Sequence, residues 1–575
     1  MTTSPLFVPD KEVSAWVTET QPKEARAWLN SLPLADDGDS ARDIYQALYT
    51  LNRLEVAPQN RLELMELYQA PVATVSSVLG SQFRGLALPL AAELRQLAEL
   101  IRQLKMEMAI GYKCAINDLQ AARLSRSRRQ SWIVASERAM WYLSEVLLDS
   151  YQIYMPPPPG VWREIHALYR LAEEQDRLTE AIELADEGDT RQTTIYERYR
   201  QIVLLGLCNP YQLAQTECAL VSAFLQRRSE QAVVSKRLDV ADPAGQFLID
   251  LSRDMPPALF PVRRQVRPSA DLRVLNTIEL ARVVHGLIKR LEQGEAVDAL
   301  DLSPALRATA WRDMLRRMIK FWGLPPKRQY ARNKIRGHFS LCAGINALHF
   351  FGSGRNAFEP PDDNEQPELQ EQDEATDKSA QAHDRNSQGD KAKGAGPQRG
   401  TSAVPPRWLA QAGVATPESF PVDRWQLRDE SARGLQLSRE GGASVQVRIG
   451  DLLGIQSPHD AGVWRVGVVR WIKSPEVKRI DMGVERLAPT MTPAAVKPVS
   501  SGRAAVGRYT QALLLPAIPA LRRPPTLLVA RGVYEPNCDL HLVTGQEPAR
   551  TVRPSKLLER TASFDQVAFV EVDAR

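Results

Sequence analysis

Two short stretches concentrate the polar chemistry of this chain. The first, Lys327-Arg328-Gln329-Tyr330-Ala331-Arg332-Asn333-Lys334-Ile335-Arg336, puts five basic side chains in ten residues and contains Arg-x-x-x-Arg in two overlapping registers, Arg328/Arg332 and Arg332/Arg336. A guanidinium is a planar fork: it grips a phosphate bidentately, donates to guanine O6 and N7 together, and stacks on a base. The second stretch is Asp429-x-Ser431-x-x-Gly434. Asp429 can accept from a guanine N1–H and amino group, Ser431 can brace a turn, and Gly434 is expected to supply a backbone conformation closed to other residues. Alone, the first reads as a solvated basic linker and the second as an Asx-type turn.

Other clusters carry less. Arg123, Arg126, Arg128 and Arg129 lack interleaved aromatics and read as a solvated loop rather than a polynucleotide contact, as do Arg263, Arg264 and Arg267. Gly352-Ser353-Gly354 does not open a helix after a strand, so it is no dinucleotide loop, and no Walker lysine motif is present. The seven histidines form no HExxH and no metal-spaced pair with cysteine, so no metal or catalytic centre is expected. Lys+Arg minus Asp+Glu is 73 − 69 = +4, so attraction to polyanions must come from local clusters, and no strong nucleic-acid signal exists. Five cysteines without CxxC spacing read as reduced thiols of a cytoplasmic protein. No secretion leader and no apolar run of membrane-spanning length is expected.

The elements that must position the two stretches differ on either side of them. At 575 residues and 43% hydrophobic content, the chain can bury several cores. Residues 1–322 read as an all-helical bundle or solenoid, the clearest helix running from about Pro89 to Leu119 through Leu90, Leu94, Leu97, Ile101, Leu104 and Met108. That seam suits either a bundle core or a homodimer. Pro156 to Pro159 stop a helix and predict a stiff hinge at 155–160. The last helix is expected to start at Ser303-Pro304 and to end at Gly323 before Pro325-Pro326.

Beyond Pro326 the texture becomes β-type, with runs at Phe339–Phe350, Trp425–Leu437, Ser444–Ile449, Leu452–Gln456, Trp464–Ile472 and Ile480–Leu487, which predict a small barrel over 327–352 plus 422–489. Between the first two runs, 353–421 reads as a disordered insertion, with nine acidic and no basic residues from Glu359 to Asp377. Closing a loop of that size costs only roughly 2–3 kcal/mol, so strands on both sides can share a domain. Thr490–Gly502 reads as a separator, followed by a small β domain over 503–575.

A basic Arg-x-x-x-Arg segment, an apolar strand, Asp-x-Ser-x-x-Gly, the strand Trp464 to Trp471 and the closing Asp481-Met482-Gly483-Val484-Glu485 together resemble the PilZ domain family. The resemblance covers about Lys327 to Leu487. It implies a six-stranded barrel that binds the bacterial second messenger cyclic di-GMP, with the arginine motif on Arg332 and Arg336 or on Arg328 and Arg332, and the turn motif on Asp429, Ser431 and Gly434. It implies no cofactor beyond that ligand. No signature for synthesis or hydrolysis of the messenger is present, so binding without turnover is expected. The functional expectation is a cyclic di-GMP effector in which ordering of the basic linker couples the barrel to a helical scaffold that binds an unidentified protein partner. The competing expectation is a non-enzymatic helical scaffold or nucleic-acid-associated protein whose degenerate barrel binds nothing.

Overall fold

The computed structural model describes residues 6–12, 18–34, 38–120, 125–186, 189–238, 242–261, 267–323, 331–361, 420–460, 462–476, 478–499, 508–519, 522–536, 538–545 and 547–572. The expected disordered insertion therefore lies, from 362 to 419, outside the described residues. The chain divides into two units: residues 1–344 with 422–490 and 561–563, and residues 345–421 with 491–560 and 564–575.

The first unit opens with six helices, α1 (Pro22–Ser31), α2 (Gly38–Arg53), α3 (Pro58–Ser81), α4 (Ala92–Gln120), α5 (Arg126–Gln152) and α6 (Val161–Glu174). Ile101, Leu104 and Met108 of α4 are buried against α2, α3 and α5, so the apolar seam is bundle core. Charge is buried beside it. The ammonium of Lys113 on α4, only 1% exposed, meets Glu164 of α6 at 2.8 Å. Pro156–Pro159 join α5 to α6, pinned at both ends: Tyr211 Oη donates to the Met155 carbonyl and Gly160 N–H to the Asp254 carboxylate.

The all-helical expectation for 1–322 fails after α6. A hairpin of β1 (Ile182–Asp186) and β2 (Asp189–Thr193) precedes α7 (Ile195–Leu207) and α8 (Gln215–Arg228). Then β3 (Val233–Ser235), β4 (Gln246–Asp250), β5 (Ala258–Leu259) and β6 (Leu272–Asn276) form a sheet in the order β3-β6-β4-β5. These strands are two to five residues long, too short for an alternating pattern to stand out from helical spacing. α9 (Ile278–Glu292) and α10 (Ala308–Trp322) follow. α10 starts five residues after Ser303, whose carbonyl accepts from Trp311 Nε1 at 2.8 Å. Its far end is anchored: Trp322 is fully buried, its Nε1 donates to the Leu204 carbonyl at 3.1 Å, and its ring stacks on Phe224.

Six strands then close a barrel: β7 (Gly337–Ala343), β8 (Asp423–Glu430), β9 (Gly434–Glu440), β10 (Leu452–Gln456), β11 (Trp464–Glu476) and β12 (Arg479–Ala488), in the order β10-β11-β12-β9-β8-β7. Trp425, Leu437, Ile455, Val469, Ile472 and Met482 fill it, and its core is continuous with that of the helices. The run Ser444–Ile449 is not a strand of the barrel. It forms a single bridge, Val447 to Leu88, and beside it Arg448 Nε donates to the Gly85 carbonyl. The opposite end of β11 also touches helices: Ser474 N–H donates to the Tyr154 carbonyl at 2.8 Å, Arg95 of α4 donates to Ser474 Oγ and the Glu476 carbonyl, and the Lys473 ammonium lies 4.5 Å over the Tyr211 ring.

The expected strand Phe339–Phe350 breaks at Gly344, whose φ of +93° is open to glycine. Beyond it, Ile345–Gly352 forms a helix, α11, that belongs to the second unit. There it packs on β13 (Thr492–Val499) and β14 (Thr510–Leu515), which with β15 (Thr526–Ala530), β16 (Asp539–Thr544), β17 (Glu547–Arg560) and β18 (Phe564–Glu571) close a second barrel. The expected separator Thr490–Gly502 thus holds a strand, in which Ala494 and Val496 face the core despite the flanking prolines. The fold is a helical region followed by two closed six-stranded barrels. Among the described residues, no helix is long and apolar enough to cross a membrane.

Removing one partner of a buried ion pair strands the other charge. Glu164→Ala should cost about 3–5 kcal/mol of stability, read by denaturant unfolding, whereas Lys113→Met paired with Glu164→Leu should cost much less.

Candidate functional site

The β8–β9 connection is a tight turn that the Asp-x-Ser-x-x-Gly residues build themselves. Ser431 N–H donates to the Gly434 carbonyl at 2.8 Å, and Gly434 N–H donates to Ser431 Oγ at 3.1 Å. Gly434 does not play the conformational role expected of it. Its φ is not in the left-handed region; instead a Cβ would lie 3.2 Å from the Val484 carbonyl of β12, a tight contact that a side chain could make only if the neighbouring strand gave by a few tenths of an ångström.

The basic segment reaches this turn by main-chain pairing. Asn333 N–H donates to the Glu430 carbonyl at 2.8 Å and Glu430 N–H to the Asn333 carbonyl at 3.0 Å, one antiparallel bridge ahead of β7. The bridge sets Arg332 beside Asp429, Nη1 to Oδ2 at 3.0 Å. The pair is accessible, with side chains 42% and 18% exposed. Of the residues singled out in the sequence, the structure brings together Arg332, Asp429, Ser431 and Gly434. Arg336 is exposed just before β7 and is not joined to the turn among the described residues. Arg328 lies outside the described residues.

Four charged residues that the motifs do not name complete the surroundings. Arg486 of β12 donates to the Ser431 carbonyl at 3.2 Å and pairs with the Glu430 carboxylate. Arg433, inside the turn, donates to Glu485 Oε1 at 2.6 Å, while Arg470 of β11 donates to Glu485 Oε2 at 2.7 Å. Burial pushes the Glu485 carboxyl up, but Arg470 and Arg433 together outweigh it and hold the group below its ordinary value. The sequence held one signal for them: Arg470 interrupts the apolar run Val466–Ile472 of β11, and Glu485 follows the apolar run Met482–Val484 of β12. The result is a barrel end with four guanidinium groups, each matched to a carboxylate.

Because the folded state depresses the Glu485 pKa, its stabilising contribution is complete above the unfolded value of about 4.5 and is lost as pH falls below it. Melting temperatures across pH 3–7 should therefore fall on the acid side less steeply in Glu485→Gln than in the parent chain, with the variant also less stable at pH 7.

Comparison with known proteins covers nearly the whole chain. The family model described as "Cyclic-di-GMP receptor FimW, N-terminal domain" matches residues 23–241, "Cyclic-di-GMP receptor FimW, middle PilZ domain" matches 246–493, and "FimW C-terminal beta-barrel domain" matches 494–572. The middle match contains the turn, the basic segment and the first barrel. A curated relative, the cyclic-di-GMP receptor FimW of Pseudomonas aeruginosa, is 30% identical over 569 residues, spanning 96% of this chain and 90% of that protein. No solved structure matches. With three domains in the same order and a full-length relative, this chain belongs to the FimW family, and its first barrel is the PilZ domain of that family.

Proposed function

We propose that this chain is a cyclic di-GMP receptor and that the ligand occupies the barrel end around Arg332 and Asp429. The observation that carries the reading is the Arg332–Asp429 pair itself, held by the Asn333–Glu430 bridge. The curated FimW relative, named for binding this ligand, supports it. Cyclic di-GMP is two guanines on a dianionic ring. On binding, Arg332 turns to a phosphate or a guanine edge, Asp429 accepts from a guanine N1–H and amino group, and Ser431 and Gly434 hold the turn. Arg336 and Arg328, on either side of Arg332 in the chain, supply the second guanidinium of the motif. An accessible ion pair is worth only about 0–1 kcal/mol, whereas hydrogen bonds to charged groups are worth about 1.5–3 kcal/mol each. Giving up the pair for two ligand contacts is therefore favourable. The protein acts as a binding effector without turnover, in the cytoplasm, and its helical region passes the signal to a protein partner.

Coupling follows from the anchoring of α10. Trp322 is fixed in the helical core, and Asn333 is fixed on the barrel, eleven residues later. Ordering the basic residues between them around a ligand shortens the freedom of that connection, so occupancy is felt at α10.

Calorimetric titration of the full chain should give saturable, guanine-selective binding, with cyclic di-AMP and GTP as controls. Arg332→Ala and Asp429→Ala should each weaken binding roughly tenfold to a hundredfold; a flat titration of folded parent protein would refute the receptor reading. Hydrogen exchange over residues 303–336 should slow with saturating ligand. Unchanged exchange there would leave binding intact and remove the coupling.

A further inference from the structure

Far along the chain from the barrel site, the α7–α8 corner of the helical region holds a polar cavity of about 460 Å³. Its walls come from several elements: Gln192 of β2, Glu197 and Gln201 of α7, Arg227 of α8, Glu230 in the turn before β3, and Asp301 in the α9–α10 connection. Small-molecule cavities run from about 300 to 1,000 Å³, so this one has room for a small organic ligand or one long side chain.

Two of these side chains are not used by the fold. Thr194-x-x-Glu197 is a capping-box sequence, and Thr194 plays its half, its Oγ1 accepting from Glu197 N–H at 3.0 Å. In α8 the equivalent Glu217 returns the bond, accepting from Ala214 N–H at 2.9 Å. The Glu197 carboxylate does not: it is bonded neither to Thr194 N–H nor to any cation among the described residues. Gln201, one turn further along the same face, is only 9% exposed. Its Oε1 accepts from Arg198 Nη1 at 2.8 Å, and Arg198 Nε is itself fixed at 2.8 Å on the fully buried Glu137. With the oxygen held there, the two N–H donors of the amide are left to the cavity, and they have no acceptor among the described residues. A donor so deeply buried without an acceptor points to a bound group that supplies one.

The remaining charges set the sign of that group. Asp301 is matched, with Arg227 at 3.6 Å and Arg228 at 3.4 Å. Glu230 accepts only from the Gln231 amide, at 3.2 Å, so two carboxylates of one cavity stand without a cation among the described residues. Nor do they make a metal site, since no three acidic, histidine or cysteine side chains among the described residues are placed to hold an ion. A guanidinium suits them better, because its planar fork of five donors can serve two carboxylates at once. The Gln201 donors then need an oxygen on the same ligand, which an arginine carries in its carboxylate or peptide carbonyl.

We propose that this cavity binds an arginine, with the guanidinium on Glu197 and Glu230 and the carboxylate or carbonyl oxygen on the Gln201 amide, supplied either as the free amino acid or as a side chain of a protein partner. The helices that frame it also hold the end of α10: Leu204 of α7 accepts from Trp322 Nε1, and Phe224 of α8 stacks on the Trp322 ring. An occupant therefore sits one turn from that anchor.

The test is saturation-transfer NMR on the protons of small probes added to the full chain without cyclic di-GMP, so that its outcome is separate from that of the receptor reading. The probes are free arginine, Nα-acetyl-arginine amide, and their uncharged counterparts citrulline and Nα-acetyl-citrulline amide. At least one arginine form should bind saturably and roughly tenfold or more tighter than its citrulline counterpart. Tighter binding of free arginine supports the proposal with the amino acid as occupant; equal or tighter binding of the blocked form supports it with a partner's side chain. Glu197→Gln, which keeps the size of the side chain and removes its charge, should weaken binding roughly tenfold or more, whereas Glu63→Gln, on an exposed residue of α3, should bind like the parent. Thermal melts confirm that the variants fold, and should Glu197→Gln unfold, Glu230→Gln decides by the same measure. Citrulline binding as tightly as arginine, parent-like affinity in the folded carboxylate variant, or no probe binding to the folded parent would each overturn the proposal.

Discussion

The bridge between Asn333 and Glu430 is the constraint on which the site depends. Two main-chain hydrogen bonds bring a basic segment ahead of the first barrel strand onto a turn almost one hundred residues further along the chain. Without them, Arg332 would be one more solvated arginine on a linker, and Asp429 one more acid at a strand end. With them, a guanidinium and a carboxylate of opposite ligand preference share one accessible spot. The turn is itself over-determined, since Ser431 and Gly434 hold each other and Arg486 holds the Ser431 carbonyl from the neighbouring strand. Preorganisation of this sort lowers the ordering cost that a ligand must meet.

Charge is balanced around the bridge. Arg332 sits on Asp429, Arg486 on Glu430, and Arg433 with Arg470 on Glu485. A site built from arginines alone would attract any polyanion, including nucleic acid, in proportion to its charge. In the receptor proposed above, each arginine is released by a ligand that also suits the carboxylate it leaves, which a guanine edge does and a bare phosphate does not. The second barrel uses the same pairing structurally: Asp565, fully buried, takes guanidinium groups from Arg531 and Arg560 at 3.0 and 2.8 Å.

Within the first unit, the PilZ barrel is part of the helical region rather than a module tethered to it. One apolar core runs through both, and β11 illustrates how closely site and scaffold are joined. Arg470 reaches Glu485 near the turn, and four residues later Ser474 is bonded to Tyr154 and Arg95 of the helical region. A strand is stiff along its length, so displacement at one end is carried to the other. The second unit takes α11 from between two strands of the PilZ barrel, which explains why the apolar run after Phe339 is longer than one strand needs.

How much of this was legible depended on whether the deciding interaction was local. The Arg-x-x-x-Arg segment and Asp-x-Ser-x-x-Gly could be read directly, because a turn and a cationic run are properties of neighbouring residues; so could α4, whose leucines repeat with a helix's own period, and most strands of the first barrel. The strands β3 to β6 were hidden by their shortness, and β13 by prolines that barrel closure tolerates. That Arg332, common to both arginine registers, meets the turn, what Gly434 and Gly483 lie against, and the surroundings supplied by Arg433, Arg470, Glu485 and Arg486 were decided by pairing between strands far apart in the chain. The sequence by itself determined the residue types able to hold an anionic guanine nucleotide and the helical and β texture around them. Only the tertiary structure decided which of those residues meet, because register across strands is set by the packing of the whole barrel and not by any one segment.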